Sequence, residues 1–77
     1  MKKQIVKVIK SELKMTQNEE YKKELESLLA LSKEVGDSFE ANMSFYKKAK
    51  NYLTDTSPRE QIFLIKEEYV KEMGGDD

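Results

Sequence analysis

Apolar residues recur along this chain at helical spacing, in four blocks separated by short polar breaks. In the first block, Ile5, Val6, Val8, Ile9 and Leu13 fall within about 160° of arc on a helical wheel. Lys3, Lys7, Lys10 and Lys14 take the remaining face, and Lys2 falls on the apolar side. The β-branched run Gln4-Ile5-Val6-Lys7-Val8-Ile9-Lys10 competes as a strand, but it does not alternate cleanly. A lone strand in an otherwise helical chain would also have no ladder partner, so a helix is expected. In the second block, Tyr21, Leu25, Leu28, Leu29, Leu31 and Val35 share one face, with Ala30 pointing away. Thr16-Gln17-Asn18-Glu19 has capping-box spacing, and Gly36 sits where a helix closes. Glu19 and Glu20 suit the positive end of the helix dipole and Lys33 the negative end. Glu19 with Lys23 is a well-oriented i,i+4 pair, and Lys22 with Glu26 a weaker, reversed one. The like-charge pair of Glu20 and Glu24 offsets part of the gain.

The third block starts at Asp37 or Ser38, with Asp37 and Glu40 spaced as another capping box. Phe39, Met43, Tyr46, Ala49 and Leu53 define its inner stripe, which Phe45 and Tyr52 widen to about half the circumference. A small bundle helix usually buries less. Such a helix either touches two neighbours or keeps an aromatic edge exposed for a partner. The fourth block opens on Ser57-Pro58-Arg59-Glu60, which reads as an N-cap, a proline at the first helical position and a glutamate reaching back to the cap. Ile62, Phe63, Ile65, Tyr69, Val70 and Met73 form a broad inner face, and Leu64 falls outside it. Gly74-Gly75 would end the helix, leaving Asp76-Asp77 as a frayed acidic tail.

The pattern predicts an all-α fold, a small antiparallel bundle of four short helices at roughly 2–14, 17–35, 38–53 and 58–73. It forms one domain over residues 1–77, with connections of about 2–5 residues that favour antiparallel neighbours. The alternative is a three-helix core crossed by a variable N-terminal segment.

Composition narrows the chemistry. With no Cys and no His, disulfides, thiolate metal sites, the commonest metal ligand and the commonest neutral-pH general base are all missing. Glu24 and Glu26, or Glu67 and Glu68, point in different directions on a helix and make no carboxylate dyad. Glu68 and Glu72 could share a cation, but a solvated acidic face accounts for them. No loop has calcium-binding spacing, and the paired glycines precede no helix, so no phosphate cradle forms. A non-enzymatic protein without cofactor or metal is expected. The first ten residues carry no signal-peptide apolar region and no run approaches 18 apolar residues, so a cytoplasmic protein with no membrane partner is expected.

Charge is uneven although the net is only -1. Residues 1–16 hold five Lys against one Glu, whereas residues 51–77 hold three basic against seven acidic residues. In one reading the basic first helix and acidic fourth helix are neighbours, or meet in a dimer. In the other the lysines follow phosphate. Arg59 is the only arginine, and arginine is the usual base reader.

At 77 residues the chain is barely long enough for its own core. A protein partner or a second copy is the expected source of further burial. The expected function is therefore protein–protein interaction of the inhibitor, adaptor, immunity or regulatory type. Its interface candidates are Phe45, Tyr52 and Leu64, rimmed by Glu60, Glu67 and Glu68. The alternatives are a nucleic-acid-binding accessory protein using Lys2, Lys3, Lys7, Lys10 and Lys14, or a purely structural homo-oligomer.

Overall fold

A computed structural model describes residues 1–73. Four helices follow one another: α1 (Lys2–Met15), α2 (Glu19–Glu34), α3 (Phe39–Tyr52) and α4 (Thr56–Glu72), with no strand among the described residues. The expected stop at Gly74-Gly75 and tail at Asp76-Asp77 lie outside the described residues. Each helix packs on its neighbour in the chain, α4 closes the ring against α1, and α1 also meets α3. Among the described residues α2 and α4 do not meet. The chain is therefore a four-helix bundle with α1 and α3 on its short diagonal, not a three-helix core crossed by a stray segment.

Hydrophobic period places the core. Ile5 and Ile9 of α1, Leu25 and Leu28 of α2, Phe45 and Ala49 of α3 with its C-cap Leu53, and Ile62 of α4 are fully buried in one cluster. Tyr21 and Tyr46 join it with their rings nearly covered. Burying each large aliphatic side chain stabilises by roughly 1.5–3 kcal/mol before ordering costs. The broad aromatic stripe of α3 follows from its place on the diagonal, where it has three neighbours to satisfy.

The helix ends correct several expectations. Thr16 closes α1 and does not cap α2: its backbone N–H donates to Glu12 O at 3.0 Å, and its hydroxyl accepts from Asn18 N. Asn18 is the cap of α2, its side chain accepting from Tyr21 N at 3.1 Å. A short Asn oxygen satisfies the first turn as well as Thr would. Glu19 pairs with Lys22 at 3.8 Å, one residue nearer than the expected Lys23. Ser38, not Asp37, caps α3 by accepting from Ala41 N. Gly36 follows the C-cap Val35 as expected, but its φ is not left-handed. The end of α2 is instead held from outside, because the Lys2 ammonium donates to Val35 O at 2.8 Å and ion-pairs with Asp37 at 3.5 Å.

The start of α4 departs furthest. The helix begins at Thr56, with Asp55 as an N-cap whose side chain makes no capping bond. Ser57 and Pro58 are therefore second and third in the helix, and the expected Ser57–Glu60 capping box does not form. Proline is tolerated here because the N–H it lacks would have had no intrahelical partner. Ser57 Oγ instead accepts from Gln61 Nε2 at 3.4 Å. Pro58 and Ile62, one turn apart, are the buried residues of α4 and fix its inner line. That line leaves Phe63 and Met73, both expected inside, 47% and 57% exposed.

Candidate interaction surfaces

The fold divides the proposed interface residues among different places. Phe45 is fully buried and cannot present an aromatic edge to a partner. Tyr52 is half-exposed but sits on Phe45's flank of α3, about 120° round the helix from Tyr46. Leu64 is 64% exposed on the outer side of α4, where Glu60, Glu67 and Glu68 are also exposed. Phe45, Tyr52 and Leu64 therefore do not form one patch. Phe39, expected in the core, is exposed and stacks on Tyr69 with ring centroids 5.6 Å apart.

A cleft that the apolar pattern does not reveal runs between the end of α3 and the start of α4. Its volume is about 340 Å³, and Tyr46, Lys50, Arg59, Glu60 and Phe63 line it with Thr54 and Thr56. Lys66 lies with its side chain only 19% exposed and holds its ammonium 4.7 Å from the Phe63 ring centre and 5.6 Å from that of Tyr46. Its charge is also paired with Glu67 at 2.7 Å. The ammonium thereby bridges two ring faces, whose quadrupoles attract a cation. The floor is aromatic, and Lys50 and Arg59 at its edge carry no ion pair among the described residues.

The lysines of α1 also separate. Lys3, Lys7, Lys10 and Lys14 are exposed on the outer face, with no ion pair among the described residues. Lys2 is not available to phosphate, because its ammonium is committed to the end of α2.

Polar contacts tie the ends of the bundle together. At one end, Asn42 is 5% exposed and its amide donates to Asp37 O, Ser38 O and Tyr69 Oη at 2.9–3.2 Å. An asparagine one turn after the cap Ser38 can reach back to the loop carbonyls, and this spacing was its only trace in the sequence. At the other end, Tyr21 Oη donates to Glu12 Oε2 at 3.4 Å, beside Asp55. A hydrogen bond shared with the Asp55 carboxyl holds Glu12 above the usual carboxylate range. Burial and the Asp55 charge add to this, and the Tyr21 hydroxyl opposes it. Burial likewise raises the Tyr21 phenol, against hydrogen bonds from Thr54.

Among the described residues no group of three or more acidic side chains is arranged to hold a metal ion. No described helix is long and apolar enough to cross a membrane. Comparison with protein-family models, curated proteins and solved structures finds no match to this chain.

Proposed function

We propose that this chain is a non-enzymatic helical domain acting by contact with another protein, as an inhibitor, adaptor, immunity factor or regulator in the cytoplasm. The cleft between α3 and α4 is the contact face. The observation that carries this reading is Phe63, a large aromatic left 47% exposed beside Tyr46 although α4 has few residues to bury. Interfaces concentrate their binding energy in such aromatic anchors, with charge at the rim. Lys50, Arg59 and Glu60 supply that rim, and Leu64 extends the apolar surface outward. The test is affinity capture from native lysate with wild-type and Phe63→Ser/Leu64→Ser bait, both checked for native circular dichroism. A protein retained by wild type and lost with the double variant supports the reading. Equal retention by both baits removes the cleft from consideration.

The row of Lys3, Lys7, Lys10 and Lys14 favours a second reading, an accessory protein that binds nucleic-acid phosphate. Its signature is an affinity for duplex or single-stranded DNA that falls steeply with salt and is lost in Lys→Gln variants of the row. No binding at low salt eliminates it.

A further inference from the structure

The outer faces of α1 and α4 carry opposite charge side by side. On α1 the exposed residues Lys3, Lys7, Lys10 and Lys14 form one row. On α4 the exposed residues Glu60, Leu64, Glu68 and Glu72 recur every fourth position and form one ridge. The two helices are neighbours. A cleft lined by Val8, Ser11 and Met15 on one side and Ser57, Pro58 and Gln61 on the other fixes their relative height. At the far end Met1 and Lys3 line a cleft with Tyr69 and Met73. The helices therefore run antiparallel, with Lys10 and Lys14 level with Glu60, and Lys3 level with Glu68 and Glu72. Within one chain Lys3, Lys7 and Lys10 lie toward Ser32 of α2 and Glu60 toward α3, so the row and the ridge flank the α1–α4 seam on opposite sides, and no ion pair joins α1 to α4 among the described residues.

We propose that this face binds a second copy of the chain, about a two-fold axis parallel to the helices and lying between α1 and α4. That axis lays the lysine row of each copy over the acidic ridge of the other. The contact is formed twice, as an isologous interface requires. A two-fold perpendicular to the helices would set lysine over lysine and glutamate over glutamate, so charge selects the first axis. Leu64, 64% exposed between Glu60 and Glu68, meets the aliphatic stems of the opposing lysines. The same face is poorly matched to a phosphate backbone, because Glu68 and Glu72 stand beside the lysines. Lys71, also exposed, sits near the second copy's Lys3 and makes the one like-charge approach. This surface shares Glu60 and Leu64 with the rim of the Phe63 cleft but does not use Phe63 or Tyr46, so a Phe63 variant is expected to leave association of the two copies unchanged.

The test is sedimentation equilibrium of the full chain. At about 50 mM salt the mass of two chains is expected, falling to one chain at about 500 mM as the charges are screened. Lys7→Glu/Lys10→Glu and Glu60→Lys/Glu68→Lys are each expected to associate at least tenfold more weakly. An equimolar mixture of the two variants is expected to restore the two-chain species, and Lys71→Glu to strengthen the wild-type dimer. All of these residues are exposed, and circular dichroism of each variant reports whether its fold is intact. A chain monomeric at low salt overturns the proposal, as does a dimer indifferent to salt. Failure of two folded charge variants to associate with each other also overturns it, as does duplex DNA binding by the lysine row in a monomeric chain.

Discussion

Single side chains decide three matters in this fold, and the first is how the helices are capped. Asn18 and Ser38 accept capping bonds, whereas Ser57 lies inside α4 and caps nothing. Asn18→Ala and Ser38→Ala should each lower stability by about 1 kcal/mol, and Ser57→Ala by less than about 0.5 kcal/mol. Urea melts of the three variants check this, and a Ser57 variant as costly as the other two would restore it as the cap. Lys2 is the second case. Its three contacts join the start of α1 to the end of α2, so Lys2→Met should cost about 1 kcal/mol while Lys3→Met changes little. Glu12 is the third. Its pKa is raised in the folded chain, so its contribution is fully present below the unfolded carboxyl value and lost as pH rises through the folded value. At neutral pH Glu12 and Asp55 repel. Glu12→Gln should therefore raise Tm above wild type near pH 7, and the gap should close on acidification toward about pH 4. A gap that widens in acid would contradict the shared proton.

At the scale of the helix, legibility in the sequence follows amphipathic contrast. In α1 and α2 the apolar residues cluster on one side and the charges on the other, so Ile5, Ile9, Leu25 and Leu28 were readable as core. In α4 apolar residues spread round the helix, and the wheel offers more than one inward line. Pro58 decides between them, because burying its ring fixes Ile62 as the next inward residue and turns Phe63 outward. The sequence marks Pro58 as a helix start and conceals that it is also a core residue. The cleft was unreadable for the same reason, since it needs Tyr46 and Phe63 from separate helices and Lys66 folded between them. A helix anchored mainly by Pro58 and Ile62 should be the least protected of the four. Backbone amides of α4 are expected to exchange hydrogen faster than those of α2. Ile62→Ala should cost about 3 kcal/mol, with the loss of protection greatest in α4.

At the scale of the molecule, a 77-residue domain has about 4–12 kcal/mol of stability in total, so one deep cavity can exhaust it. Phe45 and Phe63 make the comparison. Both are phenylalanines in amphipathic helices, and the apolar pattern leaves Phe45 as an edge and Phe63 as core. The fold reverses them, because α3 lies on the bundle diagonal with neighbours on both flanks while α4 has none beyond its outer side. Phe45→Ala removes a side chain with no exposed surface, at a cost of about 3–5 kcal/mol. It is expected to leave the chain largely unfolded at 37 °C, by far-ultraviolet circular dichroism, or to halve its resistance to urea. Phe63→Ala gives up a half-exposed ring and its contact with Lys66, and its urea midpoint should stay close to wild type. The two melts measured side by side decide which aromatic supports the fold and which is free for a partner. If Phe63→Ala proves the more damaging, the inward line of α4 is misplaced and the cleft is not an interface.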